Sequence, residues 1–111
     1  MSDEGAAQEE DAAVHFHLAS AYREMGLVDE ALRDFEIAAR DPRFRLEALM
    51  GVAACWAERG SPGLAIQALR KALAVARPGS AERRYIAFRL AELGGQGDDD
   101  DPSGAAVRSS S

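Results

Sequence analysis

The feature that most constrains this chain is an internal repeat of 34 residues. When the sequence is shifted by 34, seven spaced positions pair by residue type without a gap. The pairs are Leu18 with Val52, Ala19 with Ala53, Tyr22 with Trp56, Gly26 with Gly60, Ala31 with Ala65, Phe35 with Leu69, and Ala38 with Ala72. A third copy begins near residue 80 and carries Ile86, Ala87, Leu90 and Gly94 in the same register. A fixed period of this length indicates a repeat architecture.

The segments within each repeat are predicted to be helical. Apolar residues recur at steps of three and four, which is the period of one face of an α-helix. Turn residues that end helices interrupt these segments. The interruptions are Gly26, Pro42, Gly60 and Pro78-Gly79. Asp11, Ser61 and Ser80 stand where a capping side chain is expected, and Pro62 suits the first position of a helix. We therefore predict an all-α chain of five helices joined by short turns.

The repeat resembles the tetratricopeptide-repeat (TPR) family. Units of that family carry a large and then a small residue in helix A, an aromatic residue four positions later, glycine at the turn, and Ala–aromatic–Ala in helix B. The resemblance implies antiparallel helix hairpins stacked as a short TPR superhelix. It divides the chain into a repeat at 12–45, a repeat at 46–79 and a capping helix at 80–94. The chain departs from the family pattern at His15 and Leu49, where Trp is preferred, and Pro42 lies one residue early.

Acidic segments flank the repeats and are predicted to be disordered tails. Residues 1–11 contain five acidic residues and no basic residue, and residues 95–111 contain four acidic residues and one arginine. Neither segment has the apolar residues needed to anchor it to a core. Inside the repeats, residues 12–58 hold five arginines against eight acidic residues, whereas residues 59–89 hold seven basic residues against one acidic residue. The folded part is therefore expected to have one basic end.

The resemblance also implies where a partner would bind. In TPR modules the concave groove is lined by helix A of each repeat, and ten residues fall at such positions here. They are Phe16, His17, Ser20, Arg23, Met50, Gly51, Ala54, Arg84, Tyr85 and Phe88. The groove is thus predicted to be apolar and aromatic, which suits an amphipathic helix or a hydrophobic peptide. The alternative is that the last helix or the chain's own tail fills the groove.

The carboxylate clamp of some TPR modules is not expected in this chain. That clamp needs Lys, Asn and Arg at set groove positions, where they grip a terminal carboxylate. Those positions are occupied here by Phe16, Ser20, Gly51, Ala81 and Tyr85. Binding of a chaperone C-terminus in this manner is therefore not predicted.

These observations predict a protein–protein interaction module or adaptor that is not an enzyme and uses no cofactor. The alternative is a self-assembling structural unit, or the terminal piece of a larger TPR scaffold. Two repeats plus one helix fall short of the roughly three repeats that such arrays usually need. The segment AYREMGLVDEALRDFEIAARDP resembles TPR segments of bacterial assembly, secretion and motility scaffolds. A protein or peptide partner, or a homo-oligomer, is therefore expected.

Partners and locations of other kinds are not expected. No apolar run approaches the roughly 18 residues that would suggest a membrane span. Nucleic-acid binding is not predicted, because the acidic tails accompany a domain that is only partly basic. The acidic start lacks a signal-peptide pattern, and the single cysteine, Cys55, cannot form an internal disulfide. The expected location is the cytoplasm.

Three features that suggest chemistry are expected to be structural. His15 and His17 are two residues apart, so on a helix they point about 200° from each other and cannot share a metal ion. Cys55 is expected to be a buried small side chain, since no motif places a base beside it. Residues 98–101 are four aspartates in a row, without the spacing of a calcium loop.

Overall fold

The computed structural model describes the backbone of residues 2–97 and the side chains of residues 11–94. This part of the chain forms five α-helices and no strand. The helices are α1 (Ser2–Glu24), α2 (Val28–Ala38), α3 (Arg45–Glu58), α4 (Pro62–Val75) and α5 (Ala81–Gly97). The all-α prediction is confirmed.

Two equivalent glycine turns close the first two helix hairpins. Gly26 follows α1 with a φ of 83°, and Gly60 follows α3 with a φ of 79°. This left-handed conformation costs glycine little because it has no Cβ. In both turns the next amide reaches back to the helix: Leu27 N donates to Tyr22 O, and Ser61 N donates to Trp56 O, each at 2.8 Å. The repeat in the sequence therefore reproduces the same hydrogen-bonded turn.

Each helix packs mainly against the helices that precede and follow it. The pairs α1 and α2, α2 and α3, α3 and α4, and α4 and α5 all make extensive contact, whereas α1 touches α3 only slightly. Alanines with no exposed surface mark the helix contacts, where a small side chain lets backbones approach closely. They are Ala19, Ala31, Ala38, Ala48, Ala65 and Ala72. Short turns between packed neighbours make successive helices antiparallel, so the fold is a linear stack.

The exposure of two adjacent repeat positions differs among α1, α3 and α5 and shows which side of each helix is covered. The pairs are Leu18–Ala19 in α1, Val52–Ala53 in α3 and Ile86–Ala87 in α5. In α3, both residues are buried. In α1, the alanine is fully buried but Leu18 is 41% exposed. In α5, Ile86 is fully buried but Ala87 is exposed. The stack is therefore open on one face of α1 and on the opposite face of α5.

The exposure of Leu18 corrects one expectation from the repeat pattern. Because the repeat pairs Leu18 with Val52, Leu18 would be buried if both copies had the same surroundings. Val52 is buried in α3, which packs against the preceding helix α2, whereas no described helix precedes α1. The repeat sets which residue stands at the position, but a neighbour on that side is needed to bury it.

The helix ends also differ from the predicted bounds. Helix α1 begins at Ser2, so helix covers most of the segment 1–11 for which disorder was predicted, and Asp11 lies inside α1 and does not cap it. Ala, Glu and Gln favour helix, and acidic side chains suit a helix N-terminus. Helix α5 runs to Gly97, past the predicted stop at Gly94. The predicted tail beyond Gly97 lies outside the described residues.

Of the two serines predicted to cap helices, only Ser80 makes a capping hydrogen bond. Ser80 caps α5 as expected, because its Oγ accepts a hydrogen bond from the Arg83 amide at 3.1 Å. Ser61 occupies the N-cap position of α4, but its side chain makes no capping hydrogen bond. Pro62 is the first residue of α4, as predicted. Its fixed φ and missing amide hydrogen suit that position.

The contact between α2 and α3 depends on a glycine. A Cβ atom placed on Gly51 would lie 2.6 Å from the Phe35 ring, well inside van der Waals contact. The phenyl ring of α2 therefore occupies the volume that any other side chain at position 51 would need. The absence of a side chain at Gly51 allows α3 to approach the buried Phe35.

We expect Gly51→Ala to lower the free energy of unfolding by about 1–3 kcal/mol, because the added methyl group must displace the buried Phe35 ring. Gly63→Ala is the matched control. Gly63 is also helical and has nothing within 4 Å of an added Cβ. That variant should be neutral or more stable by up to about 1 kcal/mol. Urea unfolding followed by the fluorescence of Trp56 measures both, and equal effects would contradict this account of the contact.

Candidate partner-binding cleft

A cleft of about 230 Å³ lies between α3 and α5, with α4 at its base and α1 at one side. Residues from four helices line it. They are Arg23, Met50, Ala53, Ala54, Ala57, Glu58, Leu69, Tyr85, Arg89 and Leu93. The linear stack creates this cleft, because α4 connects α3 to α5 and leaves a space between the two parallel helices. We call it the α3–α5 cleft.

Small side chains on α3 and one large exposed side chain on α5 shape the cleft. The side chains on this side of α3 are small, so another chain could approach the helix backbone closely. They are Ala53, Ala54 and Ala57. Tyr85 on α5 is 50% exposed. Half-buried Met50 adds a flexible and polarizable wall. A tyrosine supplies a large apolar area and a hydroxyl at its tip, which is a common combination at binding surfaces.

Ion pairs stand at the border of the cleft. The Arg23 guanidinium bonds the Glu58 carboxylate at 2.7 Å and so joins α1 to α3. On α5, Arg89 Nη1 lies 2.6 Å from Glu92 Oε1. These partly exposed pairs contribute little to stability on their own. They make the border polar, whereas the sequence predicted an apolar and aromatic groove.

The structure brings four of the ten predicted groove residues together. Arg23, Met50, Ala54 and Tyr85 all line the α3–α5 cleft. They come from α1, α3 and α5, as expected for a groove built from alternate helices of a stack. The remaining predicted residues do not line this cleft, and their surroundings give physical reasons.

Phe16 and Gly51 belong to the packing between helices. The centroid of the Phe16 ring lies 5.7 Å from that of the Phe35 ring, in an edge-to-face arrangement, and 5.8 Å from that of the Phe44 ring. Phe16 is half-buried in this aromatic cluster. Gly51 faces Phe35 at the close approach described above. The chain itself therefore fills the first part of the predicted groove.

Ser20, His17 and Arg84 make local contacts outside the cleft. Ser20 Oγ donates to the Phe16 carbonyl one turn earlier, at 3.1 Å. His17 is exposed, and its ring lies 5.8 Å from that of Phe16. Arg84 is exposed and donates from Nη1 to the Gly79 carbonyl in the turn before α5, at 3.0 Å.

Phe88 is exposed on α5 one turn after Tyr85. It has 59% of its surface accessible and does not line the cleft. Its position on the helix extends the exposed aromatic surface that Tyr85 begins. The position equivalent to Phe88 holds Ser20 in α1 and Ala54 in α3, so the bulk at this position is confined to the last helix.

A second cavity, of about 400 Å³, lies among α2, α3 and α4, and the sequence did not indicate it. Its apolar lining includes Leu49, Val52, Trp56 and Leu64, with Glu36 and Lys71 also present. Trp56 is the residue that the repeat pairs with Tyr22 of α1. The signal available in the sequence was Leu64, an apolar residue outside the helical stripe of α4, which is 41% exposed in the structure.

His15 and Cys55 both contact or pack against other helices in the structure. His15 Nδ1 lies 2.9 Å from Asp34 Oδ1 and so links α1 to α2. Among the described residues, no group of three or more His, Cys, Asp or Glu side chains could hold a metal ion. Cys55 is fully buried. Burial raises the pKa of its thiol from 9.0 to about 11, while nearby Arg23 lowers it and Glu58 raises it to smaller extents.

Comparison with known proteins adds no assignment. No family model, curated protein or solved structure matches the chain significantly. None of the described helices combines the length and the apolar character needed to cross a membrane.

We expect Phe16→Ala to lower the free energy of unfolding by about 2–3 kcal/mol, because it removes a half-buried ring from an aromatic cluster. Phe88→Ala removes the same atoms from an exposed position and should change stability by less than about 0.5 kcal/mol. Urea unfolding of the two variants provides the comparison. A stable Phe16→Ala protein would restore Phe16 as a candidate binding residue.

We expect the Cys55 thiol to make stability depend on alkaline pH. Because folding raises its pKa from 9.0 to about 11, the folded state holds the proton more tightly than the unfolded state. The resulting loss of stability should be absent below about pH 9, grow as the pH rises to about 11, and reach about 2–3 kcal/mol. Cys55→Ala keeps every other titrating group. The difference in unfolding free energy between the two proteins across this range isolates the thiol, and a constant difference would contradict its assignment.

Proposed function

We propose that this chain is a TPR interaction module that binds a peptide segment of a partner protein in the α3–α5 cleft. The observation that carries the proposal is the exposed Tyr85 side chain beside the small alanine side chains of α3. Such a surface allows a partner backbone to approach closely while an aromatic side chain packs against it. Tyrosine is among the residues that most often dominate binding energy at interfaces.

The repeat supports the TPR part of the proposal. The glycine turns recur 34 residues apart with the same hydrogen bonds, and the buried alanines occupy equivalent positions in both hairpins. The TPR motif requires this combination of period, small residues and helix hairpins. A binding cleft between alternate helices of the stack agrees with the place where the family binds its partners.

The size and chemistry of the cleft favour one anchoring side chain from a peptide. About 230 Å³ is less than the roughly 300–1,000 Å³ of typical small-molecule sites. An apolar anchor would contact Met50, Leu69 and Tyr85, while polar groups of the peptide would meet the charged border at Glu58 and Arg89. This pattern suits one face of an amphipathic helix or an extended hydrophobic peptide.

The proposal describes an adaptor without catalytic activity or cofactor. We place it in the cytoplasm, because the single buried Cys55 suits a reducing compartment. Bacterial assembly, secretion and motility scaffolds are the proposed setting, on the resemblance of residues 21–42 to segments of such proteins. The α3–α5 cleft is the part of the proposal that an experiment can test directly.

A random peptide library displayed on phage and selected on the full chain provides the test. We expect the enriched peptides to carry an apolar anchor and to bind Tyr85→Ala at least about tenfold more weakly. Ala54→Glu, which places a charge on the floor of the cleft, should abolish their binding. Val75→Glu is the matched control, since Val75 is 47% exposed on α4 and lies outside the cleft. A selection that enriches no peptide, or peptides that bind Ala54→Glu undiminished, would refute the cleft as the binding site.

A further inference from the structure

We infer that the two open ends of the stack bind each other, so that the α5 end of one copy docks on the α1 end of a second copy. This inference concerns surfaces outside the α3–α5 cleft and does not depend on peptide binding there. It rests on three observations: an exposed apolar stripe on α1, an uncovered face on α5, and opposite charges at the two ends.

The open face of α1 is a continuous stripe at steps of three and four. Its members are Asp11, Val14, Leu18 and Ala21, and Met25 continues the stripe in the turn after α1; all five are exposed. Val14 and Met25 are 54% and 62% accessible. The equivalents of its three central residues in α3 are Ala48, Val52 and Cys55, all of them buried, and α3 packs against the preceding helix α2. The same positions are therefore core wherever a helix precedes them, which identifies this α1 face as one that a neighbouring helix can cover.

The open face of α5 lies on the opposite side of the stack. It consists of Arg84, Ala87, Phe88 and Ala91, which are also exposed. Ala87 is equivalent to Ala19 and Ala53, both of which are buried in helices that pack against the helix that follows them. Small residues on this α5 face would receive the larger Val14 and Leu18 of the α1 face, as small and large residues interdigitate within a core.

Charge favours pairing of unlike ends. Residues 12–58 have five arginines against eight acidic residues, and residues 59–89 have seven basic residues against Glu82 alone. Arg84 lies at the N-terminal end of the α5 face, and Glu24 is exposed at the C-terminal end of α1. Consecutive helices of the stack are antiparallel, so α5 docked in the place of a preceding helix brings these opposite charges together. Pairing of α1 with α1 would instead leave the α5 face uncovered.

The proposed contact joins two different surfaces, which determines how many copies can assemble. A contact between two different surfaces leaves one of each surface free, so further copies can add and the assembly does not close at a dimer. Each contact buries only one face of one helix, so we expect weak and reversible association. Opposite charges across the contact should make it weaken as salt increases.

Two surface variants that complement each other test the proposal. Leu18→Glu blocks the α1 face and leaves the α5 face intact, whereas Ala87→Glu blocks the α5 face and leaves the α1 face intact. Sedimentation equilibrium from about 10 μM to about 1 mM covers the range expected for a small interface. The wild-type chain should grow beyond a dimer as concentration rises, and each variant alone should remain a monomer. An equal mixture of the two variants should form a heterodimer and no larger species.

The controls keep a folding defect apart from a lost contact. Val75→Glu introduces the same charge at an exposed apolar site on α4 and should associate like the wild type. Circular dichroism checks that each variant is folded, and Val14→Glu replaces Leu18→Glu if that variant unfolds. Raising the salt concentration should weaken wild-type association several-fold.

Three results would overturn the inference. A wild-type chain that stays monomeric over the whole range shows that no second copy binds. Association that survives Ala87→Glu but not Leu18→Glu shows a symmetric α1 contact instead. A monomer that begins to associate only after removal of residues 98–111 shows that the chain's own C-terminal segment covers an open face. None of these results bears on peptide binding, which the phage selection tests separately.

Discussion

Close contact between consecutive helices through alanine is the constraint on which this structure depends. No single helix of this chain can cover its own apolar face, and each must be covered by the next. Alanines without exposed surface stand at these contacts in every hairpin, and Gly51 allows the closest approach, against Phe35. A larger side chain at these positions would separate the helices. The order of the stack, the cleft between α3 and α5 and the open ends all follow from this mode of packing.

A stack built from neighbour contacts has ends, and the ends of this one are unlike. Among the described residues no helix precedes α1 and none follows α5, so the same repeat position is core in α3 and surface in α1 or α5. In longer arrays, polar capping repeats cover such faces. Here Val14, Leu18 and Phe88 remain exposed, which distinguishes these ends from a polar cap.

Only some of the residues predicted to line the groove lie together in the α3–α5 cleft. Arg23, Met50, Ala54 and Tyr85 were assigned to one groove on the resemblance to TPR modules, and they line one cleft. Phe16 was assigned to the same groove, but its ring packs on Phe35 and Phe44. Register specifies the direction in which a side chain leaves its helix. It does not specify whether an aromatic ring from the adjoining loop, such as that of Phe44, already occupies the space.

The sequence by itself determined the helical class, the number of helices and the glycine turns. These depend on local residue spacing and on glycines such as Gly26 and Gly60, which adopt the left-handed backbone conformation at little cost wherever they stand. It also determined which alanines lie between helices, since the period of 34 repeats each contact. Only the tertiary structure decided that Leu18 is exposed while Val52 is buried, that Gly51 faces Phe35, and that ion pairs of Glu58 and Glu92 border the cleft. Each of these outcomes depends on which neighbour lies across a face, and that information is not local to any segment of the chain.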